Sequence, residues 1–294
     1  MVEYRVGPWR VGISAEQRRA LRALFADVRA VDRRGPDPDG GPGDDDAVLP
    51  AVADGELVGV AWRRGDDPAE LYVAPRFRGR GYGRRLASMA LESGGVWAHG
   101  TLPAARALAE ALGIGPVRTL LQLRRDLTGP FVPELPDGVT IRTFVPGRDD
   151  EAFLAVNARA FAWHPEQGRL DLAGLAAEQA EDWFDPAGFF LAVPEEEPDR
   201  VLGFHWTKVH PIDPTPPPDA APGPVGEVYV LAVDPSSPVR GLGTPLTLAG
   251  LAHLAGRGLD TVLLYVEADN EAALRLYRRL GFADYAADTV YARA

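Results

Sequence analysis

Residues 231–244, Leu-Ala-Val-Asp-Pro-Ser-Ser-Pro-Val-Arg-Gly-Leu-Gly-Thr, read as the end of a strand, a proline stop, and a glycine turn that opens a helix. Upstream, Val225 to Val233 (VGEVYVLAV) is strand-like, with Glu227, Tyr229, Leu231 and Val233 on one face at period two. Downstream, Ala273, Leu274, Tyr277 and Leu280 recur at helical spacing from Asn270 to Leu280, before Gly281-Phe282. Strand, glycine turn, helix, strand, helix is an α/β order.

The same order occurs once before. Leu71-Tyr72-Val73-Ala74-Pro75 is followed by Arg78-Gly79-Arg80-Gly81-Tyr82-Gly83, a helix from Arg84, and Leu112-Gly113. Internal duplication is the simplest account, and 294 residues suit two domains of ordinary size. Between the copies, Pro130, Pro133 and Pro136 punctuate a linker. The expected division is residues 1–128, a linker over 129–138, and 139–294, each domain a central mixed sheet flanked by helices. Arg33 to Asp46 and Pro211 to Gly226 are Gly- and Pro-rich loop compositions.

Composition narrows the function. With 46% hydrophobic and 25% charged residues the chain is of the soluble globular kind. Its 31 Lys and Arg against 42 Asp and Glu leave a formal charge of −11, which argues against nucleic acid or an anionic membrane as the main partner and favours a small molecule. There is no cysteine, so disulfides, zinc–cysteine sites and a cysteine acyl-enzyme are excluded. His99, His164, His205, His210 and His253 show no metal-ligand spacing, and no metal is expected. The N-terminus lacks an apolar leader core, which points to a cytoplasmic protein, and two halves sharing one cleft favour a monomer.

A glycine turn at a helix start aims backbone N–H groups and the helix dipole at a phosphate. Alone it is weak evidence, because such turns are most often just turns. The dinucleotide fingerprint and the P-loop are not matched here. The turn at Arg78 to Gly83 instead resembles the coenzyme A signature of the GNAT acetyltransferase superfamily, and Asp269 to Tyr277 with Leu280-Gly281-Phe282 resembles its closing motif. The second turn departs from the signature, with Pro238 where Arg or Gln is expected, removing a side chain and a backbone donor.

Longer strings are more discriminating. Phe161-Ala162-Trp163-His164-Pro165-Glu166-Gln167-Gly168, Trp183-Phe184-Asp185-Pro186, Leu202 to His210 (LGFHWTKVH) and Trp97 to Leu102 (WAHGTL) resemble the mycothiol synthase family of tandem GNAT enzymes. That resemblance runs over nearly the whole chain. It implies acetyl transfer from acetyl-coenzyme A, as cosubstrate, to the free amine of cysteinyl-glucosaminyl-inositol. It also implies coenzyme contacts at Leu231, Ala232, Val233, Val239, Arg240, Gly241, Leu242, Gly243, Thr244, Asn270 and Arg275. In the first half the corresponding positions are Leu71, Tyr72, Val73, Arg78, Gly79, Arg80, Gly81, Tyr82, Gly83 and Arg84. Acceptor contacts are implied at Glu166, Lys208, Glu227 and Tyr265, with Asp44 to Asp46 a further acidic run on the N-terminal side.

Amine acetylation needs a neutral nucleophile, a polarised carbonyl and a proton for the departing thiolate. Glu227, on the strand leading into the second turn, is the candidate base, and Tyr277 is the candidate acid, placed as the family's acid is. Backbone amides around Leu231 to Val233 would meet the carbonyl oxygen. The offset of 168 residues between Leu112 and Leu280 places Ala109 where Tyr277 stands. The first half is therefore expected to bind acetyl-coenzyme A without turning it over. Two alternatives stay open: a tandem GNAT acting on another small amine or peptide N-terminus, and a non-catalytic acetyl-coenzyme A sensor.

Overall fold

The structure is a computed structural model, and it describes residues 4–33, 35, 41–92, 94–162, 167–212, 216 and 223–293. Glu166 lies outside the described residues.

The first half runs β1 (Tyr4–Val6), β2 (Arg10–Val11), α1 (Ala15–Asp32), β3 (Ala47–Ala53), β4 (Glu56–Arg63), β5 (Glu70–Val73), α2 (Tyr82–Ala90), β6 (Val96–Ala98), α3 (Pro103–Leu112) and β7 (Gly115–Asp126). The second runs β8 (Val139–Thr143), α4 (Asp150–Ala160), α5 (Leu172–Gln179), β9 (Phe189–Pro194), β10 (Gly203–His210), β11 (Val225–Val233), α6 (Gly243–Gly256), β12 (Thr261–Glu267), α7 (Glu271–Arg279) and β13 (Ala283–Ala292). Residues 129–138 hold no helix or strand.

Local rules explain the helices. A reciprocal capping box opens α1, the Gln17 amide donating to Ser14 Oγ at 3.2 Å and the Ser14 amide to Gln17 Oε1 at 2.8 Å. Its buried residues, Leu21, Leu24, Phe25 and Val28, fall on one stripe and pack against Val60 and Trp62 of β4. Asn270 caps α7, its side chain accepting from the Ala273 amide at 3.1 Å. Helix α6 buries residues all round, from Pro245 and Leu246 to Leu251 and Leu254, as expected of a helix covered on both sides.

Two sheets result. One holds β1, β3, β4 and β5 in that order with β2 beside β3; the other has the order β6-β13-β7-β12-β11-β10-β9-β8. Each half therefore lends a strand to the other. The β7 strand lies between β12 and β13, pairing antiparallel with both, while β13 reaches back to β6. Main-chain ladders thus join the halves, which a string of two independent domains would not show.

A gap between parallel strands opens once in each half. A single parallel bridge, Ala69 with Val96, joins β5 to β6. In the second half β11 pairs with β12 over Gly226 to Val228 alone, and its remaining length to Val233 leaves β12. The register of β11 against β10 also shifts there, Trp206 facing Val230 and Thr207 facing Val228, so Tyr229 is an inserted residue. Beneath this strand sits an aromatic core, with Phe189 stacked on Phe144 at 4.3 Å and on Trp206 at 4.7 Å between ring centroids.

Candidate active site

The first gap leads to a cavity of about 400 Å³ lined by Leu71, Tyr72 and Val73, by Arg78, Gly79, Gly81, Tyr82, Gly83 and Arg84, and by residues of α3 that include Ala109. Gly79 and Gly81 have φ of +73° and +89°, which only glycine adopts cheaply, and no side chain caps α2. Among the described residues the amides of Gly79 to Gly81, Gly83 and Arg84 meet no protein acceptor, so a phosphate could be received there. Arg78 anchors the turn: its two Nη atoms hold Asp32 at 2.7 Å each, and its Nε donates to the Val73 carbonyl at 3.1 Å. Arg80 packs over the Phe77 ring at 5.2 Å.

The second half repeats the device with the charges exchanged. Asp234, at the end of β11, is held by Arg159 of α4 at 2.5 and 3.2 Å and by the amide and hydroxyl of Ser236. The Arg159 hydrogen bonds keep the Asp234 carboxyl down at about 2. Gly241 has φ +80°, and among the described residues the amides from Arg240 to Thr244 meet no acceptor. Pro245 in the first turn of α6 supplies none, and the Val239 amide is spent on Ser237 Oγ at 3.2 Å. Leu231, Ala232 and Val233 lie on the stretch of β11 that has parted from β12. Arg275 pairs with Glu271 at 3.0 Å on the exposed side of α7.

Register brings the expected acceptor residues together. Lys208 of β10 faces Glu227 of β11, and Glu227 faces Leu263 of β12, two residues from Tyr265 on the same face. The Lys208 ammonium lies 4.0 Å from the Trp183 ring centroid and 5.0 Å from that of Tyr229, a cation held by aromatic faces. Tyr229 in turn donates to Glu178 at 3.2 Å. Glu227 is 7% exposed and meets His210 Nε2 at 2.6 Å. Tyr265 receives a hydrogen bond from Gln122 Nε2 at 2.7 Å, and burial with the nearby Glu227 charge pushes its hydroxyl up to about 12. Tyr277, 7% exposed, packs its ring on Phe282 at 5.6 Å, and burial raises its hydroxyl well above the ordinary range.

Sequence reasoning passed over three participants. His210 and Gln122 bond to expected site residues through contacts between strands 17 and 143 residues apart, and the Trp183 ring holds the Lys208 ammonium. The string LGFHWTKVH carries His210, so a polar residue two places past Lys208 on an alternating strand was the available signal. For Gln122 there was none, because nothing local says that β7 sits beside β12.

Comparison with known proteins agrees with this geometry. Residues 155–282 match the Acetyltransferase (GNAT) family and residues 44–113 an Acetyltransferase (GNAT) domain. Mycothiol acetyltransferase of Thermobispora bispora is 54% identical over 81% of this chain and 80% of its own length. The protein of that name from Nocardia farcinica is 49% identical over 97% and 96%, and that from Amycolatopsis mediterranei 47% over 98% and 99%. In fold, a GCN5-related N-acetyltransferase from Sphaerobacter thermophilus superposes with a TM-score of 0.67 at 23% identity, covering 98% of this chain and 94% of that one. A tandem GNAT protein from the clavulanic acid biosynthesis pathway gives 0.64 at 18%, covering 99% and 98%. The chain is an N-acetyltransferase built from two GNAT domains and belongs to the mycothiol acetyltransferase family.

Proposed function

We propose that this enzyme transfers the acetyl group of acetyl-coenzyme A to the cysteinyl amine of cysteinyl-glucosaminyl-inositol, forming mycothiol and coenzyme A by direct attack. The observation that carries the reading is the gap between β11 and β12, with Glu227 at its closed end and free amides of the α6 turn at its mouth. Bound coenzyme supplies the activated acetyl group; the chain supplies position and protons. Amides from Arg240 to Thr244 receive the pyrophosphate, and backbone N–H groups at Leu231 to Val233 polarise the carbonyl. Glu227 accepts the amine proton. Tyr277, kept protonated by burial, donates to the departing sulfur.

In this reading residues 139–294 form the catalytic domain, 129–138 the linker, and 1–128 a domain whose cavity holds acetyl-coenzyme A without chemistry, since Ala109 puts a methyl group where Tyr277 puts a phenol. Lys208, Glu227 and Tyr265 line the acceptor's seat. The enzyme works as a monomer in the cytoplasm. Its test is mass-detected acetylation of cysteinyl-glucosaminyl-inositol by wild type, Glu227→Gln and Tyr277→Phe. Wild-type turnover with a loss of roughly ten-fold or more in each variant supports the reading. Binding of acetyl-coenzyme A with this acceptor untouched would replace the substrate by another amine.

A further inference from the structure

We infer that His210 is the proton relay of the active site, taking from Glu227 the proton that the acceptor amine loses and passing it to water. The inference rests on Glu227 being the base. A lone carboxylate is poorly matched to that task. The proton it takes must leave the buried carboxylate before the next turnover, and an imidazole bonded to that carboxylate, with a nitrogen on each side of its ring, is a side chain that can carry it to water.

The geometry supplies the imidazole where it is needed. His210 ends β10, two residues beyond Lys208, so its side chain lies on the face that carries Glu227. Its Nε2 stands 2.6 Å from Glu227 Oε2, and the pair runs outward, the carboxylate side chain 9% exposed and the imidazole 23%. Other polar groups around Glu227 are engaged elsewhere: Lys208 with the Trp183 and Tyr229 rings, the Tyr229 hydroxyl with Glu178, and the Tyr265 hydroxyl with Gln122. With His210 and with Glu267, which is held by Arg118 at 2.6 Å, these residues, Lys208, Glu227, Tyr229 and Tyr265, are the titratable groups that share this face on β10, β11 and β12 among the described residues, and on β7 Arg124, stacked over Tyr285, faces Leu263. Glu227 Oε1 has no partner among the described residues and is free to meet the amine.

The proton count closes. An ammonium acceptor loses one proton to Glu227 Oε1; the carboxyl group turns to present that proton to the unprotonated Nε2 of His210, and the ring releases its Nδ1 proton to water. The neutral nitrogen then bonds to the acetyl carbonyl carbon while the carbon–sulfur bond breaks, and Tyr277 gives its proton to sulfur. The second N–H proton leaves for water, from which Tyr277 is reprotonated. One proton is released per amide formed.

The experiment is the pH dependence of kcat/KM from pH 6 to 9 for wild type, His210→Gln and His210→Ala, with cysteinyl-glucosaminyl-inositol and mass detection. Glutamine keeps an N–H donor for Glu227 and cannot carry a proton, which separates holding the carboxylate from relaying. Both variants are expected to fall by ten- to a hundred-fold at pH 7, with KM for acetyl-coenzyme A unchanged. Added imidazole should restore activity to His210→Ala and not to Glu227→Gln. A His210→Gln enzyme with the wild-type rate and profile, or a His210→Ala enzyme indifferent to imidazole, would overturn the relay. Failure of wild type on this acceptor would instead overturn the substrate, and the same comparison is then read with the amine that an acceptor screen returns.

Discussion

Gln122 donates a 2.7 Å hydrogen bond to the hydroxyl of Tyr265, although the two residues belong to opposite halves of the chain. The bond follows from the exchange of strands, which sets Gln122 of β7 directly across from Tyr265 of β12. Gln122 is 2% exposed and Tyr265 38%, so a buried side chain fixes a residue that faces the cleft. Gln122→Leu removes that bond without emptying the site. Losing about 1 to 2 kcal/mol of positioning is expected to raise KM for the acceptor by about five- to thirty-fold, with kcat within about two-fold of wild type. Steady-state kinetics with the acceptor varied checks this; an unchanged KM would remove Tyr265 from the acceptor's seat.

The Asp234–Arg159 pair sets the direction in which β11 enters the coenzyme turn. Its carboxyl is held at about 2 against an ordinary 3.8, so the pairing stabilises the fold above pH 4 and is lost as pH falls through about 2. Asp234→Asn is expected to cost about 1 to 2 kcal/mol at pH 6 and to raise KM for acetyl-coenzyme A. Urea unfolding of both proteins should show the difference shrinking between pH 4 and pH 3. A gap independent of pH would mean that the amide loses packing and not charge.

A second pH effect lies in the core. His205 is fully buried, faces the Leu246 carbonyl through Nδ1 at 2.8 Å, and is pushed down to about 4 by burial. The unfolded chain therefore takes a proton near 6.5 that the folded chain refuses, and stability drops as pH falls from 6.5 toward 4. The ring fits because position 250, in the middle of α6, is glycine; a β-carbon there would run into it. Gly250→Ala should destabilise by about 2 kcal/mol or more, despite a gain of about 1 kcal/mol in helix propensity. Unfolding midpoints decide the sign, and a more stable variant would show that the ring is free to move.

What could be read beforehand was whatever is local. The period-two run from Val225 to Val233, the glycine turns and the Asn270-capped helix are written in neighbouring residues, and they place Glu227 on a strand and Tyr277 on a helix. The offset between the copies also singled out Ala109, which lines the first cavity. Hidden from such reading were contacts made by pairing alone. That β7 lies between β12 and β13 depends on which distant strands bury each other's faces, and Gln122 and the Arg118–Glu267 pair at 2.6 Å follow from it. The Arg78 side chain illustrates a subtler case: the motif names the residue, but its bonds to Asp32 decide that it shapes the turn.

Ala109 offers a test of whether the first half holds coenzyme in the way proposed. The residue is 4% exposed and forms part of the wall of the 400 Å³ cavity in the first half. Ala109→Tyr places a ring in that space and restores the phenol of the second half. The carboxylate–imidazole pair beside this cavity, Glu70 with His99 at 2.8 Å, is no counterpart of Glu227 and His210: against the effect of burial, bonds to Asp288 and Glu70 push His99 up to about 10, so the ring stays protonated and takes no proton near neutral pH. Two effects are therefore expected together. Calorimetric titration with acetyl-coenzyme A should fall from two sites per chain to one, and kcat should stay within about two-fold of wild type. Overpacking costs about 1 to 3 kcal/mol, so the melting temperature is followed in parallel. If turnover collapses while the fold survives, the first cavity takes part in the reaction, and catalysis cannot be assigned to the second half alone. If two sites persist, coenzyme does not enter past Ala109, and the absence of chemistry in the first half has another cause than the missing phenol.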